Sequence, residues 1–447
     1  YQSHYSVLSN NKTIKSGKVS LDIAPQASKE FTVPVNGLKS QPGTEYFVNF
    51  SVTTVEPEPL IPAGYEIAYD QFQLPIQAEK RIYKANGPAL TTATSGDELT
   101  VSSSKVNFVF NKNRGLVTSY KVDGTEYFKD GFGIQPNFWR APNDNDYGNS
   151  TPKRLQVWKQ SSKNFHVTDV KMTTENKVVS LKATYLLAAG NLYVVTYRIY
   201  PSGIVNVSAQ FTSTDMQAAE TEVSEATRMA TFTPGSDAAR KAASKLEVPR
   251  IGVRFRLPAQ MNNVQCFVRG PEDNYIDRNH GTLVGVYKTT ADKMYFNYVR
   301  PQENGHHTDT RWIALSPDKG NGLAIVADSL IGFNALRNSI EDFDSEEALP
   351  HPYQWNNFSP EEVANHDEKA ARNVLRRMHH VNDITPRDFV EVCVDMKQQG
   401  VGGYDSWGAR PEPFHQIPAN RDYSWGFTLV PVRSASQANE VAKYDYQ

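Results

Sequence analysis

The feature that most restricts the fold of this chain is an alternation of apolar and polar residues that runs almost without a break from about residue 98 to residue 434. The apolar residues between Val106 and Phe110 show the two-residue spacing that places side chains on one face of a β-strand. Similar runs flank Asp123-Gly124 and Pro201-Ser202-Gly203, which are typical of hairpin turns. The pattern predicts an all-β protein whose larger part, residues 98–434, is one sandwich of two long, curved sheets.

Residues 1–82 contain a separate set of short strand-like runs with turns between them. Several short strands in so short a segment favour a small β-sandwich of the immunoglobulin type, although the Cys–Trp–Cys hallmark is missing. The predicted strands are Val19 to Ile23, Phe31 to Val35, Tyr46 to Val52 and Tyr65 to Tyr69.

The remaining segments are predicted to be connections. Residues 83–97 contain Asn86-Gly87-Pro88 and a run of Thr and Ser, which predicts a linker, with a strand at a sheet edge as the alternative. Residues 435–447 are predicted to be a polar tail, and Pro234 to Val248 a loop inserted between strands. Ser359-Pro360-Glu361-Glu362 has the pattern of a helix start and predicts a short surface helix to about His366.

Charge and hydropathy exclude several partners. The net charge is −2 and the chain has no basic patch, so a nucleic-acid partner is not expected. No apolar run is long enough to cross a bilayer, so a soluble chain without a membrane partner is expected, cytoplasmic or periplasmic. Cys266 and Cys393 lie in strand-like runs and are expected to be buried free thiols. The chain begins at Tyr1 in strand-like sequence, so a piece of a longer protein is expected.

The stretch from Gln399 to Gly408 is the first candidate for a functional site. It follows a strand-like run, and three glycines within five residues allow a sharp turn. The turn ends in Asp405, Ser406 and Trp407, a combination that suits a sugar because an aromatic face covers C–H groups while polar groups bind hydroxyls. A Trp that packs under the loop is an equally good interpretation of the residues alone.

A second candidate is the run from Phe138 to Gly148, which is rich in acids and amides. Asp144 and Asp146 alternate with Asn as in half of a calcium loop, but the later bidentate acid is missing. The preferred interpretation is a turn whose Asn and Asp side chains bind backbone N–H groups. A metal site and a loop that reaches a neighbouring site are the alternatives.

Two further runs carry charged groups. In Gly270 to Arg278, Arg–carboxylate pairing that fixes the loop is expected, with a catalytic carboxylate as the alternative. In Tyr298 to Trp312, the adjacent His306 and His307 point to opposite faces of an extended segment, so they are not expected to share a metal. The chain has no G-x-S-x-G motif, P-loop or dinucleotide fingerprint, and no repeated β–α units of a barrel.

Together these runs resemble the C-terminal portion of the β-galactosidases of glycoside hydrolase family 2. The similarity lies in the order and spacing of four segments: Arg140 to Gly148, Gly270 to Arg278, Pro301 to Arg311, and Gly402 to Trp407. One departure is Asp273, where the family pattern has Glu. The resemblance implies an immunoglobulin-like domain followed by a supersandwich with a galactose-mutarotase-like fold.

The resemblance also implies a function. Enzymes of this family hydrolyse terminal β-galactosides with retention, using two Glu residues on a (β/α)₈ barrel that this chain lacks, so no catalytic residue is expected in it. Trp407 would form an apolar platform for the substrate. Asp405, Ser406, Arg140, Asn143, Asp144 and Asp146 would support the loop. No metal or cofactor is expected in this chain, whereas the barrel of the parent enzyme would use Mg or Na. The barrel would be a partner in cis or as a large subunit, in a homo-oligomeric parent, and the chain alone would be inactive.

Two other classes of function remain open. The chain could be a free-standing carbohydrate-binding module. It could also be a mutarotase- or epimerase-type enzyme, which needs a histidine and a carboxylate that converge in one cleft of the sandwich. His280, His306 and His307 are the candidate histidines for that reaction.

Overall fold

The computed structural model describes residues 1–20, 22–213, 247–344, 380–402, 404–405 and 408–446. The predicted all-β class is confirmed, because strands dominate the described residues. The strands are β1 Gln2–Ser9, β2 Lys12–Val19, β3 Tyr46–Thr53, β4 Glu66–Leu74, β5 Arg81–Ile82, β6 Thr91–Ser95, β7 Glu98–Ser102, β8 Val106–Asn111, β9 Leu116–Val122, β10 Thr125–Glu126, β11 Gln135–Asn137, β12 His166–Glu175, β13 Val178–Leu186, β14 Leu192–Ile199, β15 Val205–Thr212, β16 Arg250–Pro258, β17 Asn263–Gly270, β18 Leu283–Thr290, β19 His307–Ser316, β20 Gly322–Leu336, β21 Phe389–Gln398, β22 Tyr423–Val432 and β23 Tyr444–Asp445.

The helices of the described residues are all short. They are α1 Asp144–Gly148, α2 Thr151–Arg154, α3 Gln156–Ser161, α4 Ala291–Met294, α5 Ile340–Phe343 and α6 Ala438–Val441, with 3₁₀ turns at Lys129–Gly131, Val381–Asp383, Pro413–His415 and Ala435–Gln437. The helix predicted from Ser359 and most of the loop predicted from Pro234 to Val248 lie outside the described residues.

Residues 1–82 form a four-stranded antiparallel sheet in the order β2-β1-β3-β4, which we call the small sheet. The strands predicted around Tyr46 to Val52 and Tyr65 to Tyr69 correspond to β3 and β4. The strand predicted from Phe31 to Val35 is wrong, since the structure assigns none there and Pro34 cannot donate to a ladder. The hairpin β1–β2 was missed because its residues are mostly polar.

The segment predicted as a linker, 83–97, is irregular only up to Leu90. Its last part is β6, which pairs with β7 and forms the edge of a five-stranded sheet in the order β10-β9-β8-β7-β6. The linker prediction is therefore wrong for Thr91–Ser95, where the edge-strand alternative holds. The run of Thr explains both interpretations, because Thr is common in loops and also favours strands.

The largest sheet has twelve strands and bends at β20. The first part of β20, Gly322 to Ala327, pairs with β22, whereas Gly332 to Leu336 pairs with β21. A strand that changes partner in this way lets a sheet turn a corner. The five-stranded sheet packs against this sheet through aromatic rings, and Phe108 lies 5.6 Å from Tyr197 between ring centroids.

Strands β16 and β21 pair near one end of this sheet and are buried on both faces. One face is apolar and includes Ile251, Val253 and Phe255, all fully buried in the core. The other face, which we call the charged face, carries Arg250, Arg254, Glu391 and Asp395, all at most 7 % exposed.

The segment predicted as a polar tail, 435–447, is ordered in its described part. Its strand β23 pairs in parallel with β5, and Tyr446 is only 3 % exposed and lies 5.1 Å from Tyr83 between ring centroids. The prediction of a tail is wrong because its aromatic residues supply enough apolar surface to pack. Here the small sheet, the large sheet and the C-terminal segment share a second apolar cluster, which includes Phe47, Phe267, Trp312 and Ala438.

Candidate functional site

The loop from Gln399 to Arg410, which follows β21, is the candidate site, and we call it the 399–410 loop. Gly402 has a φ of +70° and Gly408 a φ of +100°, so both positions favour glycine. A Cβ on Gly408 would also lie 2.4 Å from the carbonyl carbon of Gly148, at the end of α1. The loop is therefore fitted closely against the segment that contains α1. Gly403, Ser406 and Trp407 lie outside the described residues.

Arg140 holds the start of this loop. Its guanidinium forms a bidentate pair with Asp146, with Nε–Oδ2 and Nη2–Oδ1 distances of 3.0 and 2.9 Å. The same group donates to the carbonyl oxygens of Gln399 at 2.7 Å and Gly400 at 3.0 Å. Burial lowers the pKa of Arg140, but Asp146, Glu303 and Tyr275 together outweigh burial, so the pKa is raised. Arg140 is therefore a permanent cation that donates hydrogen bonds to two consecutive carbonyl groups.

Asn143 and Asp146 form the turn that the sequence predicts for this run. Asn143 Oδ1 accepts from the Asp146 N–H at 2.8 Å, and Asp146 Oδ2 accepts from the Asn143 N–H at 3.1 Å, which is a capping box at the start of α1. Asn143 Nδ2 also donates to the carbonyl oxygen of Val401 at 3.3 Å. Asp144 points away from this turn, is exposed, and pairs with Arg300 at 3.1 Å.

Asp277 holds the loop from the opposite side. Its carboxylate accepts from the Val401 N–H at 3.0 Å and from the Gly402 N–H at 2.8 Å. A Cβ on Gly400 would lie 2.4 Å from Asp277 Oδ2, so glycine is needed for this approach. The sequence predicts Arg–carboxylate pairing for this run, and Arg278 does pair with Asp273 at 3.5 Å. The contact of Asp277 with the loop was missed.

The far end of the loop has its own contacts. Asp405 Oδ1 accepts from the Ala409 N–H at 3.1 Å, and the Tyr404 hydroxyl donates to the Arg410 carbonyl oxygen at 3.1 Å. Arg410 in turn forms an ion pair with the buried Glu247. These contacts fix the residues on either side of position 407.

A network of buried charges lies behind the loop. Arg250 contacts Glu303 and Asp395, each at 3.2 Å, and all three residues are at most 5 % exposed. Burial raises the pKa of Asp395 to about 7; Arg250 opposes the rise and Glu303 adds to it. With Arg140 and Asp146, the network has two guanidinium groups for three carboxyl groups. A protonated Asp395 balances these charges.

The histidines do not form a site of the mutarotase type. His306 Nδ1 lies 3.8 Å from Asp395, but both side chains are sealed from solvent, and burial lowers the pKa of His306. Both ring nitrogens of His307 lie 3.1 Å from carbonyl oxygens, Nδ1 from that of Gly305 and Nε2 from that of Pro271. His280 is exposed and has no ion pair in the described part of the chain. In the part of the chain that the structure describes, none of these histidines faces an acid in an open cleft, so that part gives the mutarotase-type hypothesis no support.

Metal and membrane sites receive no support from the residues that the structure describes. In that part of the chain, no group of three or more His, Cys, Asp or Glu side chains could hold a metal ion. The same residues include no helix of the length and apolar character needed to cross a bilayer.

Comparison with known families shows to which family this chain belongs. Residues 102–429 match the family described as β-galactosidase small chain, and residues 1–75 match the family described as β-galactosidase domain 4. The chain belongs to the β-galactosidase small-chain family. This small-chain match covers all four runs on which the resemblance rests.

Curated relatives of this small-chain protein are much longer. A β-galactosidase of Priestia megaterium is 31% identical over 436 residues, which are 97% of this chain and 36% of the relative. A β-galactosidase of Streptococcus thermophilus is 23% identical over 432 residues, 95% of this chain and 35% of the relative. The small-chain protein thus spans about a third of the length of these relatives.

Solved structures give only a distant likeness. A putative mutarotase from Salmonella typhimurium is 9% identical, with a TM-score of 0.35, and covers 79% of this chain and 97% of its own. A galactose 1-epimerase from Lactobacillus acidophilus is 8% identical, also with a TM-score of 0.35, over 78% of this chain and 98% of its own. A likeness at this level carries no argument about activity.

Sequence reasoning missed several residues that organise the site of this small-chain protein. Arg250 and Asp395 lie in strands whose alternation indicates an exposed polar face, so their burial was not expected. Glu303 lies in the run from Tyr298 to Trp312, in which the sequence does not distinguish it from the other charged residues. A usable signal was present, because Arg250, Arg254 and Arg256 alternate with apolar residues in one strand and Glu391 and Asp395 do so in another. Opposite charges on two adjacent strands favour ion pairs between the strands, although they do not indicate that the pairs are buried.

Proposed function

We propose that the chain is the C-terminal portion of a β-galactosidase of glycoside hydrolase family 2, which hydrolyses terminal β-D-galactosides with retention. Membership of the small-chain family and alignment of nearly the whole chain with longer β-galactosidases support this proposal. The two catalytic Glu residues would belong to a barrel outside this chain, in cis or as a large subunit. Any Mg or Na would be bound there, and the parent enzyme would be a homo-oligomer.

The role proposed for this chain is to complete the mouth of the active site with the 399–410 loop. The observation that carries this role is that two of the four sequence runs converge on the loop that contains a third. Arg140 and Asn143 bind its carbonyl groups, and Asp277 binds its N–H groups. A loop fixed at both ends can present one side chain in a defined position. That side chain would be Trp407.

The chemistry assigned to the loop is binding and not proton transfer. An indole face next to the active site covers the apolar C–H groups of the substrate's leaving sugar and excludes water from it. The buried acids behind the loop, Glu303 and Asp395, cannot reach a substrate because they are 5 % and 0 % exposed. In this proposal the two catalytic carboxylates come from the barrel.

The decisive experiment is the substitution Trp407→Ala in the longer protein that contains the barrel. Loss of the platform should weaken binding of the leaving sugar, or of a sugar acceptor, by about 1–3 kcal/mol. The readout is KM for lactose together with the ratio of transfer to hydrolysis when glucose is added. Phe414→Ala, which removes a 72 % exposed aromatic ring beyond the loop, is the matched control. An unchanged KM and unchanged acceptor use would exclude Trp407 from the site.

The chain by itself should not hydrolyse a chromogenic galactoside, because its contribution is one wall of the site. Release of nitrophenol by the purified 447-residue chain, at a rate above that of buffer, would contradict this proposal. Activity that appears only when a separately prepared barrel domain is added would support it.

A further inference from the structure

Glu247 is a buried acid whose carboxylate two arginines share. The residue is 3 % exposed. Arg154 Nη1 donates to Glu247 Oε1 at 2.7 Å, and Arg410 Nη2 pairs with Oε2. Arg154 is the last residue of α2, and Arg410 is the last residue of the 399–410 loop. One carboxylate therefore joins the loop to the segment that follows α1.

Arg154 also binds the segment against which the loop packs. Its Nη2 donates to Asn149 Oδ1 at 3.4 Å. A Cβ on Gly408 would lie 2.7 Å from the backbone nitrogen of Asn149, so the loop and this segment are in close contact. Glu247 therefore fixes both sides of that contact, the loop side through Arg410 and the other side through Arg154.

The acid allows two guanidinium groups to lie close together. The side chains of Arg154 and Glu247 are only 8 % and 4 % exposed, so solvent screens their charges little. Without the carboxylate, the cations of Arg154 and Arg410 would repel each other at a site with little water. The far end of the loop would then move away from the segment after α1, whereas the start of the loop would keep its own contacts.

The position of Trp407 depends more on the far end of the loop than on its start. Two residues separate Trp407 from Arg410 in sequence, whereas four separate it from Gly402, whose N–H group Asp277 binds. A displacement of Arg410 therefore reaches position 407 through the shorter stretch of chain.

We propose that Glu247 is a positioning residue for the proposed hydrolysis of galactosides, and this inference rests on that function. Through Arg410 it sets where the far end of the 399–410 loop lies, and so where the indole of Trp407 meets the leaving sugar. Glu247 itself touches no substrate because it is buried. Its loss should therefore raise KM and leave kcat nearly unchanged, as for a lost contact that substrate and transition state share.

The test is Glu247→Gln in the longer protein that contains the barrel. The amide keeps the size of the side chain but has one acceptor oxygen and no charge, so one arginine loses its partner. KM for lactose should rise about three- to tenfold, and kcat should change less than about twofold. Glu45→Gln, which alters a carboxylate paired with Arg311 between the small sheet and β19, is the matched control and should leave KM unchanged.

Two further variants show whether the effect passes through the indole. In a protein that already carries Trp407→Ala, Glu247→Gln should raise KM no further, because the platform that it positions is gone. Arg410→Gln should raise KM as Glu247→Gln does. The Arg410 side chain is 30 % exposed, so this variant keeps the test valid if Glu247→Gln does not fold. Circular dichroism checks the fold of each variant.

The outcomes separate the positioning role from the proposed function. A rise in KM that Glu247→Gln and Arg410→Gln share, and that disappears without the indole, supports the role. An unchanged KM in both variants, or a rise that persists in the Trp407→Ala protein, overturns it; the proposed function then stands if Trp407→Ala alone raises KM. A fall in kcat without a rise in KM also overturns the role. If Trp407→Ala leaves KM unchanged, the proposed function fails and the positioning role fails with it.

Discussion

The two faces of the β16–β21 pair use opposite chemistry, although both are buried. On one face, Ile251 and Phe255 pack into the core of the sandwich. On the other, Arg250 and Arg254 meet acids from β21 and from the segments that cover the sheet, such as Glu341 at 2.8 Å from Arg254. The apolar face is stabilised by exclusion of water. The charged face is stable only while every charge keeps its partner, and it sets the geometry beneath the 399–410 loop.

The largest effect is expected from Arg250→Ala. This change removes the cation between Glu303 and Asp395 and leaves two buried carboxyl groups without it. The free energy of unfolding should fall by about 3–5 kcal/mol, as for other broken buried ion pairs. Urea denaturation at pH 7 measures this loss. A loss below about 1 kcal/mol would mean that the charged face tolerates an unpaired acid.

A pH-dependent effect is expected from Asp395→Asn. Because the pKa of Asp395 is raised to about 7 in the folded protein, its contribution to stability is complete below about pH 4 and is lost as the pH rises through 7. The variant lacks this loss. Between about pH 4 and pH 7, the unfolding free energy of the unmodified chain should therefore fall relative to that of Asp395→Asn. The fall should be up to about 1.4 kcal/mol per pH unit. Parallel pH profiles of the two proteins would contradict it.

A smaller effect is expected from Ile251→Val on the apolar face. The change removes one buried methylene and leaves no charge unpaired, so the loss should be about 0.5–1.5 kcal/mol at every pH. Urea denaturation at pH 5 and pH 7 measures it. A loss that depends on pH would show that the two faces are coupled through the strand.

The smallest effect is expected from Lys171→Ala. Lys171 pairs with Asp169 at 3.1 Å, but the two side chains are 74% and 50% exposed. Water and salt screen such a pair, so its removal should change stability by less than about 1 kcal/mol. Thermal unfolding at two salt concentrations provides the measurement. A loss of stability as large as that of Arg250→Ala would show that burial does not explain why the two ion pairs differ in their effect on stability.

The sequence predicted the all-β class, the large sandwich and the turn that contains Asn143, because each follows from local patterns. It did not predict the burial of Arg250 and Asp395, since alternation alone cannot tell a solvent-facing side of a strand from one that other segments cover. It also placed Tyr446 in a tail, because the packing of Tyr446 depends on Tyr83, far away in the chain. The family resemblance implies that Arg140, Asn143 and Asp146 support the loop, but it gives neither their contacts nor the contact of Asp277 with the loop.

The pairing of β23 with β5 has a consequence for how the protein is made. These two strands lie more than 350 residues apart in sequence, and both flank the contact between the small sheet and the rest. The small sheet comes before the large sheet in sequence, but its final position depends on residues that are synthesised more than 350 residues after β5. A chain that stops before Tyr444 would retain both sheets and lack the segment that fastens them together.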